Sequence, residues 1–506
     1  MKTPLNPKGI ILTPAHPAHA ARLFYRWRPV GVPSFANLLL LTLLLTAAPL
    51  AAQTFTVLHA FTNSPDGNGP FSGLLLSGGT LYGTTRLGGT SGSGINGGIV
   101  FSVNTDGTGY TILHDFSSDT NGGDPWGGLV ISGDTLYGTG AQGGMDWGTV
   151  FSLKTNGTGF ALVHSFDPST EVPFPHDRLT LSGTTLFGTT GGFGYGYGGW
   201  GGVFSVNTDG TNFTPLYVFS APSGNPLTNA DGEQSQGGVA LSGDTLYGAA
   251  FGGGPYGYGT VYSVGTNGTG FTLLYAFAGA PDGANPQESP VLSGGTLFGT
   301  TQSGGTNGKG TVYSINTDRS GYQVLHSFQT NGVDGMTPWA SLVPSGNTLY
   351  GTTRSGGGTN SNGTVFSINT DGSRYTILHS FLFKQGASTN TDGMLPYGDL
   401  IISGNTLYGT TQRGGPQGYG TVFSLTVPVL AIASFNLSGT TLTINGLNGQ
   451  AGATCVVLAS TSLSLPLNQW SPVATNALSA SGPFTITAPN AVDASARQQF
   501  FVLQMH

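Results

Sequence analysis

Aromatic and acidic side chains set in glycine-rich stretches are the part of this sequence that carries the chemistry of a binding or catalytic site. Nine aromatics stand out: Trp126, Trp147, Tyr195, Tyr197, Trp200, Tyr256, Tyr258, Trp339 and Tyr397. Exposed aromatic faces beside backbone amides suit stacking on sugar rings, whose C–H faces match the ring while their hydroxyls accept hydrogen bonds. The competing reading is that these rings only fill gaps left by glycine. Acidic residues lie in similar stretches, and Glu171/Asp177, Asp231/Glu233 and Asp282/Glu288 are close enough in sequence to suggest carboxylate pairs. A glycosidase holds its two carboxyl groups about 5 to 9.5 Å apart, a distance that spacing along a loop does not set.

Other reactive residue types read as structural. His59, His114, His164, His326 and His379 recur at one place in successive repeats, and Tyr217 and Tyr275 take that place in two others. Packed sheets are about 10 Å apart, so these imidazoles do not gather around one ion. Asp106, Asp209, Asp318 and Asp371 end Asn-x-Asp motifs that resemble calcium loops, but each turn supplies one carboxylate, Asn156 and Asn267 replace it in two copies, and calcium takes six to eight oxygens. Cys455, the only cysteine, sits among apolar neighbours and reads as a buried strand residue. No metal and no other cofactor is expected.

The elements that position the aromatics follow from internal repetition. The Leu of Thr-Leu-(Tyr/Phe)-Gly falls at 81, 136, 186, 246, 297, 349 and 407, giving spacings of 55, 50, 60, 51, 52 and 58 residues. Val-(Phe/Tyr)-Ser follows each copy, as at Val100 to Ser102, and a strand of the type Thr111-Ile-Leu-His-Asp-Phe116 closes six of the seven units. Ser-Gly-x-Thr and Asn-Thr-Asp-Gly between apolar runs are turn signals, so each unit divides into four short antiparallel strands, a to d. In the second unit strand a is expected at 128–132 and strand b at 135–138. The seventh unit lacks strand d, yet Phe55-Thr-Val-Leu-His-Ala-Phe61 is a strand d with no strands a to c before it. Joining the two ends completes a seventh sheet and hides the edges that an open array would expose. The expected fold class is all-β: a seven-bladed β-propeller closed by the N-terminal strand, followed by a small C-terminal β-sandwich. Its a–b and c–d turns would share one face, and its variable b–c and d–a loops, with all nine aromatics, the other.

The text Gly310-Thr-Val-Tyr-Ser-Ile-Asn-Thr-Asp318, Tyr322 to Phe328 and Gly346 to Thr353 resembles the units of the GloVer tandem-repeat proteins, "GTVFSINTDGTGYTVLHSF…GTLYGTT". The resemblance covers about residues 53 to 427. It implies an exported, propeller-like repeat protein with a variable C-terminal anchoring or sorting module, and it supplies no catalytic residues. Kelch propellers also place a glycine doublet after strand b, but the Tyr and Trp that should follow are not consistently present.

Residues 1–52 read as a signal peptide: Lys2, Lys8, Arg22, Arg26 and Arg28 without any acid, then the apolar run Phe35 to Ala48 and small residues at Ala51 and Ala52. Removing those five positive charges takes the formal net charge from −7 to −12, which leaves no basic face for nucleic acid. Residues 53–427 are the repeat domain. Residues 428–506 form a separate module, with alternation at Thr441 to Asn445, strands at Thr454 to Ala459, Phe484 to Thr487 and Phe500 to Leu503, and a loop tryptophan, Trp470. This module is similar to the C-terminal modules of exported Verrucomicrobia proteins, and the mature chain is expected to carry no membrane span. Two function classes follow: an extracellular or cell-surface (or periplasmic) binding module, for an extracellular polysaccharide or a cell-envelope component, and a glycan-cleaving glycosidase or lyase that uses carboxylates on the same loop face.

Overall fold

Thr-Leu-Tyr-Gly-Thr-Thr combines β-branched and aromatic residues at strand-forming density, and it folds as strand b in every repeat. The computed structural model describes residues 20–25 and 53–505, apart from 91–96, 117–121, 144–146, 193–198, 225–226, 331–333, 359–360, 383–388, 429–430, 450–453, 463, 466–468, 480–481 and 494–498. In the first repeat, Leu75–Ser77, Thr80–Thr85, Ile99–Asn104 and Thr111–Asp115 form strands a to d of one antiparallel sheet. Six further sheets among the described residues share this plan, and in the first six of the seven the b–c ladder runs over six residue pairs.

Strand a is shorter than the sequence implied. In the second repeat it begins at Val130, because the Gly127 carbonyl is taken by the Thr84 hydroxyl of the preceding repeat (3.2 Å) instead of by a neighbouring strand. Strand b is longer, Thr135–Gly140, since its ladder with strand c continues past the motif glycine. That glycine has a packing reason. A Cβ at Gly83 would lie 2.6 Å from the Phe101 ring, and Gly138, Gly188, Gly248, Gly299, Gly351 and Gly409 meet the strand-c aromatic of their own sheets in the same way. The aspartates of the c–d turns are satisfied locally. Asp106 Oδ1 accepts from the Thr108 amide at 2.9 Å and hydroxyl at 2.7 Å, and Asp209, Asp318, Asp371, Asn156 and Asn267 repeat the pattern.

The orphan N-terminal strand Thr54–Ala60 pairs with Thr421–Thr426 and completes the last sheet. Successive sheets share apolar cores: Tyr82, Phe116 and Phe151 between the first and second, and Val261, Phe277 and Tyr313 between the fourth and fifth. Phe61, Leu74, Phe101 and Val422 place the last sheet against the first. A second set of contacts runs outside these cores. The strand-d His or Tyr of each sheet stacks on an aromatic at the start of the next sheet's strand d: His59 on Tyr110, His114 on Phe160, His164 on Phe213, Tyr217 on Phe271, Tyr275 on Tyr322, His326 on Tyr375 and finally His379 on Phe55. All seven pairs lie 3.6 to 4.0 Å apart and within 10° of parallel. The fold is all-β and propeller-like, and no helix among the described residues is long and apolar enough to cross a membrane.

Residues 55–425 form one compact unit, while residues 426–506 and the N-terminal residues up to 54 fall into a second. In the second unit, Ala431–Ser438, Thr441–Gly449 and Gly482–Ala488 make a three-stranded sheet. Thr454–Ser460, Ser471–Ala477 and Gln499–Met505 make another, whose free edge is occupied by Ala20–Tyr25 from the expected leader. Cys455 is wholly buried among Leu442, Ile444, Val457, Ile486 and Leu503, contributed by both sheets.

Candidate functional site

Each d–a loop returns the chain to strand a through one repeated backbone device. The residue before Pro70, Pro125, Pro175, Pro286, Pro338 and Pro396, and before Ser235 in the fourth repeat, has a positive φ: Gly69, Asp124, Phe174, Asn285, Thr337, Leu395 and Gln234. Six of the seven are not glycine, so the left-handed turn must be held by its surroundings. The hold is a two-bond clamp between two b–c loops, one of the preceding repeat and one of the repeat being entered. For Thr337, its amide donates to the Lys309 carbonyl (2.9 Å) and its carbonyl accepts from the Arg354 amide (3.1 Å); Asn285 does the same with Tyr258 and Gln302, and Leu395 with Asn362 and Gln412. One step further on, strand-b threonines donate to the incoming backbone of the next repeat: Thr139 to Asp177, Thr189 to Gly237, Thr300 to Ala340 and, from last repeat to first, Thr410 to Ser72.

This device brings the residue after each proline to one small cavity of about 30 Å³, lined by Phe71, Trp126, His176, Gln236, Gln287, Trp339 and Tyr397. That volume admits a water or a group of similar size. Four repeats supply a continuous aromatic wall. Phe71 stacks on Tyr397 at 4.4 Å and touches Trp126 at 4.7 Å, while Trp339 meets Tyr397 edge-on at 5.0 Å. The other three supply His176, which touches Trp126 edge-on, and a hydrogen-bonded Gln236–Gln287 pair. Burial, with Arg86 nearby, lowers the His176 pKa to about 4, so the ring is neutral at neutral pH. Arg86 lies 4.0 Å over the Trp126 ring and is neutralised by Asp124, at 2.6 Å. Arg354 lies over Tyr397 and Trp339 at 5.1 and 5.9 Å.

Behind the rim come three carboxyl groups from three repeats: Asp177, Glu288 and Asp399. Asp177 accepts the Gly238 amide and Asp399 accepts the Ser341 amide at 2.7 Å. Glu288 has Asp177 within hydrogen-bonding reach, and its Oε2 is buried with no partner. Burial first, then the charges of Asp177 and Asp399, push the Glu288 carboxyl well above the ordinary range, and Asp399 is pushed up to about 6 by burial and by Asp177.

Of the nine aromatics singled out in the sequence, Trp126, Trp339 and Tyr397 meet in this pocket. Trp147 instead packs on Phe174 at 5.4 Å beside an inter-sheet core, and Trp200 packs against the core between the third and fourth sheets. Tyr256 and Tyr258 stay exposed, away from the pocket lining, at 55% and 43%. Tyr195 and Tyr197 lie outside the described residues. Of the carboxylate pairs named from sequence, Glu171 binds His164 and Asp231 binds Tyr217, each on the strand d that precedes its own loop, while Asp282 binds Tyr275 in the same way and also Tyr322 of the next sheet. Asp177 and Glu288 meet each other instead, across repeats. Phe71, His176, Gln236 and Gln287 were missed. A recurring Pro-x-x-x-Leu that leads into strand a marks Phe71 and His176, at Pro70 to Leu74 and Pro175 to Leu179, whereas Gln236 and Gln287 stand in Ser235 to Val239 and Pro286 to Pro290, which depart from it.

The profile of the Gloeobacter/Verrucomicrobia repeat matches residues 46–229 and again residues 225–423. No curated protein matches the chain. Among solved structures, an oligogalacturonate lyase from Vibrio parahaemolyticus is 9% identical over 75% of this chain and 98% of its own, with a TM-score of 0.46. An oligogalacturonate lyase in complex with manganese is 11% identical over 74% and 96%, with a TM-score of 0.45, and a nidogen/laminin complex 14% identical over 57% and 91%, with a TM-score of 0.36. The two profile matches account for most of the chain, which belongs to the Gloeobacter/Verrucomicrobia repeat family.

Proposed function

We propose that this chain is an exported binding protein: a closed seven-bladed β-propeller that takes carbohydrate at its axial mouth, followed by a small β-sandwich. The observation that carries this reading is the ring of equivalent residues around the cavity, aromatic in four repeats and polar in three. Sugars present apolar C–H faces and hydroxyls together, and a wall of rings opposite a patch of amides and imidazole meets both. The strained, clamped turns that deliver these residues support a site, since left-handed non-glycine residues persist only where the fold overdetermines them. Return of the N-terminal strand to the last sheet supports the closed ring.

The glycan-cleaving alternative draws on the same carboxyl groups, but Asp177 and Glu288 are in hydrogen-bonding reach, too close to admit a water or an anomeric carbon between them. Binding of neutral and charged oligosaccharides to the full chain, compared with Trp126→Ala and Trp339→Ala, tests the reading. The wild type should bind at least one class, with each variant weakened about tenfold or more. No binding to any class, or variants indistinguishable from wild type, would remove it. Export predicts that secreted protein begins at Gln53.

A further inference from the structure

The enclosed part of the pocket holds only about 30 Å³, far less than a sugar ring, yet three carboxyl groups from different repeats face it. Glu288 Oε2 is buried there with no donor on it, and its carboxyl lies in hydrogen-bonding reach of another acid, Asp177, so the pair either shares a proton or takes a cation. Among the cations near the space, Arg86 is engaged by Asp124 and Arg354 is held over the outer rings, while Arg178 is close enough to favour the ionised forms of Glu288 and Asp399, one positive charge against three carboxyls. His176 lines the same space as a neutral ring. A small cationic donor fits the volume, the charge and the aromatic surroundings together.

Resting on the carbohydrate reading above, we propose that the axial pocket selects glycans that carry free amino groups, the ammonium entering against Glu288, Asp177 and Asp399 while the sugar ring rests on Phe71, Trp126 and Trp339. On binding, the ammonium favours the ionised form of Glu288, and a proton that burial holds on that carboxyl leaves for solvent, or for an amine that arrives uncharged, as the charge pair forms. No covalent step is involved.

Calorimetric titration of the full chain at neutral pH tests this with a β-linked glucosamine oligomer, its fully N-acetylated counterpart, a glucose oligomer, a uronic acid oligomer and a lysine oligomer. The glucosamine oligomer should bind about tenfold or more tightly than the acetylated and neutral oligomers. Its apparent heat should also change between buffers of different ionisation enthalpy, reporting proton release. Glu288→Gln should erase both the preference and the proton release. Asp399→Asn should reduce the preference, and it guards against misfolding of the first variant. Equal binding of all the sugars would overturn the amine inference and leave the carbohydrate reading standing. Tighter binding of the uronic acid oligomer, or of the lysine oligomer alone, would overturn it in favour of an anionic glycan or a basic peptide. Failure of every oligosaccharide would remove both readings.

Discussion

Gly83 and Glu288 show two ways in which a single residue is constrained, one by space and one by charge. A methyl group at Gly83 would sit 2.6 Å from the Phe101 ring and 2.9 Å from a Leu74 methyl, both wholly or nearly buried. Gly83→Ala should therefore destabilise the chain by about 1 to 3 kcal/mol in denaturant titration, whereas Gly133→Ala, a turn glycine with no heavy atom near its Cβ, would suffer only from its positive φ. Charge works in the opposite direction at the pocket. A carboxyl whose pKa is raised by folding holds its proton more tightly folded than unfolded, so its contribution is most favourable at low pH and is lost as pH rises, for Asp399 between about 3.8 and about 6. Asp399→Asn should stabilise the chain at pH 7.5 by roughly 1 to 2 kcal/mol, Glu288→Gln should act in the same direction, and both should make little difference near pH 4. A loss of stability at pH 7.5 would show that these acids are compensated by partners in the folded state.

At the scale of the element, the d–a loop depends on bonds formed elsewhere to hold a backbone it would not choose. Thr337 is β-branched with a φ of 57°, in a place where the first repeat has Gly69. Replacing it with glycine removes that strain, and because the clamp uses only backbone groups, Thr337→Gly should be neutral or stabilising by about 1 kcal/mol. A clear loss of stability would mean that the threonine side chain, not the clamp, holds the turn. Strand Thr54–Ala60 is the opposite case, since the element forms readily but has no sheet of its own. Phe55 stacks on His379 at 4.0 Å and touches Phe381 and Phe423. Deleting residues 53–60 should bare the edge of Thr421–Thr426 and produce self-association on size exclusion. If the shortened chain stays monomeric and equally stable, the strand is not the closing element.

For the repeat unit, the proposed ring closure would change how stability is shared. In an open repeat array each unit touches only its neighbours, and removing a terminal unit shortens the array without unfolding it. Here the contacts return to their origin, through Phe61 and Val422 in a common core and through the hydrogen bond from Thr410 to Ser72. Removing the last repeat, 383–425, should therefore lower protection from hydrogen exchange in the first repeat as much as in the sixth. Protection lost only next to the cut would identify a solenoid.

The repeated half of each unit was legible in the sequence because its causes are local or periodic. Thr-Leu-(Tyr/Phe)-Gly alternates as a strand, Asn-Thr-Asp-Gly turns it, and the unpaired strand at Phe55 to Phe61 declares a partner at the far end of the chain. The histidines read as structural for the same reason, since a residue that recurs once per sheet serves the sheet. The sequence also marked Trp126, Trp339 and Tyr397, but alongside Trp147 and Trp200, which differ from them in packing against a core between sheets instead of lining the pocket. The pairing of Asp177 with Glu288, 111 positions apart, was not legible at all. Spacing along a chain fixes distances only within an element, and the residues around the pocket are brought together by contacts between successive sheets of the repeat unit.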